Sequence, residues 1–366
     1  MKKRRVAALF LAAVMCGGLT ACGSGSEAET TAAAAAAETQ AAEAPEENSE
    51  EAAGEEAAPA GEQVILTWAE VNPIDSLDGQ LAEFFRDKVA ELSGNTIAID
   101  IQASGVLGAE SDVLDGMTAG GGTVDMARIS VFSLTNYGTE LSVLPSVPFI
   151  FESRDHYWKF AESEIGQQIL DEPSQLGLGV KGLFFVEEGF RNFFTKEEVT
   201  DISGMNGLKI RVSTDPILTG VVEQLGASPT VISFTELYSS LQTGVVDGAD
   251  QPTALYESNA FNEVAPYLIE DEHTMSASEV IITEEAWNSL SADQQNAILE
   301  AGKQTSEYCK ELSGQVEEES KARLIEKGVT FVEIEDKSPW REACEGIISE
   351  YTAGHEAEYQ QILDLN

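Results

Sequence analysis

The sequence predicts an α/β protein of two lobes. Three observations carry that expectation. Strand-like alternation and helix-like periodicity follow one another from Val64 to Thr283, the pattern of βαβ units. The part that can fold is about 300 residues long, more than one hydrophobic core normally supports. A helical pattern opened by Ser291-Ala-Asp-Gln294 runs to Lys327. At about 1.5 Å per residue it is about 50 Å long, too long to lie on one small lobe, so it is expected to brace both.

Residues 1–22 are expected to lie outside the fold. Lys2, Lys3, Arg4 and Arg5 precede an apolar run, Val6 to Met15, of signal-peptide length and too short to remain as a membrane span. Leu19-Thr20-Ala21-Cys22 follows. Small residues before a cysteine at this point read as a lipoprotein cleavage site, with the lipid on Cys22. Residues 23–62 contain no Lys, Arg or aromatic residue. Such a segment cannot bury enough apolar surface to offset its ordering entropy, so it reads as a solvated acidic tether.

From Val64 the elements come in order. Val64–Val71 alternates as a strand, and Leu77–Leu92 places Leu81, Phe84, Phe85, Val89 and Leu92 at helical spacing. Thr96–Gln102 reads as a strand, Ser111–Ala119 as a helix stopped by three glycines, and Asp125–Arg128 as a strand with Ser130 just past its end. Leu144–Phe151 is apolar but interrupted by two prolines. Two helices fall in 153–172, and Lys181–Glu187 is a strand. A second lobe is expected to begin near Arg191. Thr195-Lys-Glu-Glu198 and Ser233-Phe-Thr-Glu236 fit helix-start boxes. Strands are expected at Gly207–Val212, Ser228–Ile232 and Val246–Asp250, and helices at Asp215–Gln224 and at Phe234–Leu241, the latter stopped by Gly244. Glu279–Thr283 returns to the first sheet. After the long helix come a strand at Val329–Ile334 and one terminal helix at Pro339–Leu363. One lobe is expected to comprise 63–188 and 277–316, the other 189–276 and 317–366.

The chain has a net charge of −43. Four basic residues leave with the leader and eleven glutamates belong to the tether, so the folded part carries about −36. This argues against nucleic acid and anionic lipid surfaces as partners. It leaves an anionic small ligand open, because a cleft arginine escapes the screening that surface charge meets over roughly 8 Å. Of the four cysteines, only Cys309 and Cys344 fall in the folded part. Export permits a disulfide, but nothing in the spacing brings them together, and two buried thiols are the default.

Cofactor and catalytic motifs are absent. Gly177-Leu-Gly-Val-Lys-Gly182 matches a dinucleotide fingerprint in form but precedes a strand. His355-Glu356 has Tyr359 where a zinc helix needs a second His, and there is no Walker loop or nucleophile elbow. Paired carboxylates are frequent at this composition, so a surface-anchored hydrolase stays as an alternative of another class.

Four stretches carry a resemblance: Arg191-Asn-Phe-Phe, Gly207-Leu-Lys-Ile-Arg-Val212, Leu225-Gly-Ala-Ser-Pro229, and the run from Phe234 to Gly248 that ends in Val-Val-Asp-Gly. Together with Phe261-Asn-Glu-Val264 and His273, they resemble the solute-binding proteins of TRAP transporters, the DctP type. The resemblance covers essentially everything after the tether. It implies a two-lobed periplasmic-binding-protein-like fold with crossing hinge strands and one long helix spanning both lobes. It implies capture of a small organic acid outside the cytoplasmic membrane and delivery to a membrane permease, without catalysis or cofactor. A receptor for an ABC importer or a sensor kinase is the alternative within the class.

The resemblance places Arg211 where the family binds the ligand carboxylate, and Arg191 after the first crossing strand. Guanidinium suits this task because it stays charged and meets both carboxylate oxygens. The bland alternative for Arg211 is a surface ion pair, and for Arg191 a hinge-side one. Ala249-Asp-Gln-Pro252 matches the family's Gln-Glu-Asn-Pro segment, with Asp250 and Gln251 in place of Glu and Asn. Ser130 falls where some members carry an acidic ligand-facing residue. Phe234 and Tyr238 share a helix face and belong either to the pocket or to the core. His273 is a hinge hydrogen-bonder or a satisfied core histidine. Asn72, in the Asn72–Ser76 loop, and Trp68 are candidate lid residues.

Overall fold

The computed structural model describes residues 63–120 and 122–366. The leader, the lipidation at Cys22 and the acidic tether expected from the sequence all fall outside the described residues.

The elements run β1 (Val64–Ala69), α1 (Leu77–Leu92), β2 (Ile97–Gln102), α2 (Glu110–Ala119) and β3 (Met126–Ser130). Helices α3 (Arg154–Ala161) and α4 (Glu164–Gln175) lead into β4 (Val180–Thr195). Then come β5 (Lys209–Val212), α5 (Pro216–Gln224), β6 (Ser228–Val231), α6 (Leu237–Thr243), β7 (Gly248–Pro252) and α7 (Thr253–Ser258). The chain returns through β8 (Tyr267–Thr283), α8 (Glu284–Ser289), α9 (Ala292–Glu326), β9 (Thr330–Glu333), α10 (Ser338–Tyr351) and α11 (Glu356–Leu363).

The strands order as β2-β1-β3-β8-β4-β7-β5-β6, with β9 on β8. Parallel pairs join β1 to β2 and β3, and β5 to β6 and β7. These two parallel groups are the sheets of the two lobes. Two long antiparallel strands tie them together. The first half of β4 pairs with the second half of β8, which also pairs with β3. The second half of β4 pairs with β7, from Arg191 opposite Pro252 to Thr195 opposite Gly248. A local reading breaks both long strands. In β4, Gly189 interrupts the apolar run, and there the ladder bulges and the backbone takes φ +104°. In β8, Glu270-Asp-Glu-His273 resembles a loop by composition but lies within the strand.

Each lobe has its own aromatic packing. Trp68 is buried against Phe85 at 5.4 Å, and Phe85 against Phe184 at 5.2 Å, under α1. Trp68 is therefore core and does not belong to a lid. In the other lobe Phe194 packs on Tyr256 and Phe261. Helix α9 is 35 residues long, starts with Ser291 as its cap, and touches both. Tyr308 stacks on Phe84 at 4.2 Å, and Ser306 donates to the Phe185 carbonyl at 2.7 Å. Farther along, Arg323 and Lys327 both reach Glu257 of α7. Cys309 and Cys344 are buried free thiols.

Three local expectations fail. Thr195-Lys-Glu-Glu198 starts no helix: Thr195 ends β4 and its hydroxyl donates to the Glu197 carbonyl at 2.7 Å. No apolar face follows for a helix to bury, and the chain passes into a short 3-10 turn at Ile202–Met205 capped by Asp201. The terminal helix is two helices, broken where Gly354 takes φ +89°. Ser130 is the last residue of β3 and not a loop residue beyond it.

Candidate functional site

A cavity of about 250 Å³ opens between the two lobes. Its walls come from chain segments at strand ends, where open α/β sheets bind ligands. From the first lobe come the turn after β1, the N-terminus of α2, the end of β3 and the 3-10 turn Val131–Tyr137. From the second come Arg211 on β5, the turn after it, Ile232 to Phe234, and Gln251 on β7. Glu188 and Arg191 of β4 lie where the lobes meet.

Arg211 is 3% exposed. Its Nε donates to the Ile232 carbonyl at 2.8 Å. Among the described residues its terminal nitrogens have no protein hydrogen bond and no carboxylate lies within ion-pair distance. Burial pulls its pKa down to about 10; Asp250 pulls it up and Arg191 pulls it down. It remains a cation at neutral pH. The Phe234 ring lies 5.9 Å from Arg211 Cζ and forms part of the same wall.

Arg191 is already paired. Its Nε donates to Asp250 Oδ2 at 2.5 Å, Nη2 to the Asp250 carbonyl at 3.1 Å and Nη1 to Ser276 Oγ at 3.2 Å. Asp250 is fully buried behind the wall and does not line the cavity. Burial pushes its carboxyl up, but Arg191 and His273 outweigh burial and hold it well below the usual carboxylate range. His273 also sits behind the wall. Its Nδ1 is 2.7 Å from Asp271 Oδ2, its Nε2 is 3.4 Å from Asp250 Oδ2, and its ring stacks on Phe193. Burial lowers its pKa, but Asp271 and Asp250 raise it to about 9.

Six of the sequence candidates thus line one cavity: Arg211, Arg191, Gln251, Phe234, Ser130 and Asn72. Gln251 Oε1 is buried and has no protein partner. Asn72 is 2% exposed and cannot act as a mobile lid: its Nδ2 donates to Asp78 at 2.6 Å, and its Oδ1 accepts from Asn259 of the other lobe at 3.2 Å. Three candidates lie elsewhere. Asp250 and His273 buttress Arg191, and the Tyr238 phenol faces outward, donating to Glu263 at 3.0 Å.

Three charged lining residues, Arg128, Glu188 and Glu110, escaped the sequence reading. Arg128 of β3 is buried and tied to Glu70 at 2.9 Å and to Glu188 at 2.7 Å. Glu188 accepts in turn from Ser276 and Ser278, each at 2.6 Å. Glu110, the first residue of α2, accepts from the Ser130 amide at 3.2 Å and from the Ser133 hydroxyl. Alternation flags a strand charge such as Arg128 only if its partners are known, and those are 58 and 60 residues away. Glu110 carried a weak signal, as an acid at a helix start.

The match to known proteins follows this geometry. Residues 68–354 match the family model described as bacterial extracellular solute-binding protein, family 7, DctP. The chain belongs to this family. A solute-binding protein of Roseobacter denitrificans is 36% identical over 251 residues, covering 69% of this chain and 76% of the relative. The sialic acid-binding periplasmic protein SiaP of Vibrio cholerae is 27% identical, over 76% of this chain and 85% of its own. Among solved structures, a TRAP periplasmic solute-binding protein of Pseudomonas putida F1 with bound D-glucuronate has a TM-score of 0.78 at 26% identity. It covers 82% of this chain and 96% of that one. One from Polaromonas sp. JS666 bound to D-erythronate also has a TM-score of 0.78, at 25% identity, covering 82% and 98%. The DctP-family fold of two lobes, crossing strands and a spanning helix is the one described above.

Proposed function

We propose that this DctP-family protein captures a small organic acid in the interlobe cavity, with the ligand carboxylate on Arg211. It then hands the acid to the membrane subunits of a TRAP-type permease and performs no chemistry on it. The observation that carries this reading is the state of Arg211: a buried guanidinium that faces the cavity with its terminal nitrogens unpaired. A buried charge without a partner is costly. A bidentate carboxylate removes that cost and favours whichever lobe arrangement encloses both groups, so binding favours closure. Arg191 lends positive potential and its unused N–H groups, and Gln251 offers an amide to a ligand oxygen. Phe234 and Ser130 shape the pocket. In this reading the lobes are 63–188 with 277–316 and 189–276 with 317–366, hinged where β4 and β8 cross.

Relatives named for what they bind support the ligand class: D-glucuronate, D-erythronate, sialic acid and C4-dicarboxylates are all carboxylates. The basic leader and Leu19-Thr20-Ala21-Cys22 support an extracytoplasmic protein held to the membrane by lipid on Cys22. Replacing Cys22 with Ala should release it from the membrane fraction.

A thermal-shift screen against monocarboxylates, dicarboxylates, sugar acids and keto acids tests the reading. An acid at about 100 times its Kd stabilises the folded state by about 2.7 kcal/mol, which raises the midpoint by several degrees. If no carboxylate in the screen shifts it, the reading fails.

A further inference from the structure

We propose that Glu110 is a specificity-determining residue, which makes this cavity a site for hydroxylated monocarboxylates and excludes dicarboxylates. The inference rests on the carboxylate-binding reading and goes further by naming what lies at the other end of the ligand.

The argument starts from which cavity charges are already compensated. Arg128 is surrounded by Glu70, Glu188 and, at 3.7 Å, Asp78. Arg191 has Asp250. Only Arg211 is left without a carboxylate among the described residues, so the cavity holds one vacant position for a carboxylate and not two. Of the two lining carboxylates, Glu188 is saturated by Arg128, Ser276 and Ser278. Glu110 has no cation within ion-pair distance among the described residues and accepts only from Ser130 and Ser133. Arg211 and Glu110 belong to different lobes, so the cavity has a positive wall and a negative wall.

A ligand reaching from Arg211 toward α2 therefore meets a carboxylate. A second carboxylate there would face like charge in a poorly solvated site, which costs at least about tenfold in affinity. A hydroxyl instead donates to Glu110. Beside it the Ser133 and Tyr137 hydroxyls already donate, to Glu110 and Asp115, while the Ser111 hydroxyl and one N–H of Asn136 have no acceptor among the described residues. An ammonium group would also satisfy Glu110, but it cannot accept from these neighbours. Hydroxyls, which donate to Glu110 and accept from Ser111 and Asn136, are therefore favoured. Burial pushes the Glu110 carboxyl up, against Arg128 and its two hydrogen bonds, as expected of an acceptor short of partners.

Isothermal titration of the full folded chain with matched acids tests this. D-gluconate against D-glucarate, and D-erythronate against meso-tartrate, differ only by a second carboxylate in place of the terminal CH₂OH. The expected result is at least tenfold tighter binding of the monoacid in whichever pair binds, with Glu110→Gln narrowing the ratio mainly by tightening the diacid. Equal or tighter diacid binding in the wild type overturns the inference without any variant, so it stands or falls even if Glu110→Gln misfolds. So does an unchanged ratio in a folded Glu110→Gln. Tighter binding of 4-aminobutyrate than of 4-hydroxybutyrate overturns the assignment to hydroxyls. If no acid of any kind binds, the carboxylate reading itself fails and takes this inference with it. Diacid preference leaves that reading intact.

Discussion

Arg191 and Arg211 line the same cavity, yet only Arg191 has a carboxylate, with its Nε 2.5 Å from Asp250 Oδ2. The difference arises from register. Arg191 and Asp250 lie on neighbouring antiparallel strands, where Arg191 pairs with Pro252 and Phe193 with Asp250, so the long side chain reaches back to the acid. Arg211 sits on a parallel strand pair beside Thr230 and has no acid within ion-pair distance among the described residues.

Removing Asp250 should therefore hurt stability more than a typical polar substitution. Asp250→Asn leaves Arg191 and His273 buried without their shared anion. Breaking one side of a buried pair costs about 3–5 kcal/mol. Urea unfolding at neutral pH should show a loss of this order, and a loss below about 1 kcal/mol would mean the network is not structural.

Stability should fall as pH rises from about 5 to about 9. Glu279 is fully buried on β8, with neither carboxylate oxygen hydrogen-bonded. Burial, helped by the charge of Glu172, pushes its pKa to about 8. The folded state keeps this proton while the unfolded chain loses it near 4.5, so the contribution is full below that value and is lost as pH rises through about 8. His273 acts in the same direction. Its stabilisation is full below the unfolded value of 6.5 and is lost as pH rises through about 9. Asp250 acts oppositely but only in strong acid, because its folded pKa is depressed. Urea midpoints at pH 5, 7 and 9 measure the sum. Glu279→Gln should flatten the slope below pH 8, and an unchanged slope would remove Glu279 from the account.

Gly189 is required where β4 crosses between lobes. Its φ is +104°, and a Cβ there would come 3.0 Å from Arg154 Nη2 and 3.3 Å from Glu317 Oε2. Arg154 pairs with both Glu187 and Glu317, joining α3, β4 and α9 at this point. Gly189→Ala should cost about 1–3 kcal/mol of backbone strain, read by chemical denaturation. A neutral result would show that the bulge relaxes freely.

The sequence made the local elements legible wherever one periodicity persists. Leu77–Leu92 and the long helix after Ser291 were readable to within a residue or two because capping serines and apolar spacing agree. The crossing strands were read only in part, because β4 and β8 owe their length to pairing with each other and carry Gly189 and Glu270-Asp-Glu-His273 in mid-strand. At the site, Arg211 and Gln251 were placed by the resemblance to the family, and both line the cavity. Asp250 was misplaced because alternation in β7 turns it to the face opposite Gln251, away from the cavity. Arg128 is defined by partners remote in sequence, a relation no local window contains, and Glu110 offered only the weak local signal of an acid at a helix start.

The central claim is that Arg211 holds the ligand carboxylate, and titration of Arg211→Ala with the tightest-binding acid tests it most directly. The variant should fold as stably as the wild type or slightly more so, since an unpaired buried guanidinium is removed. It should lose at least about 100-fold in affinity, as expected when one partner of a desolvated ion pair is truncated, with Arg211→Lys recovering only part. Affinity within a few fold of wild type in a folded Arg211→Ala would contradict the account.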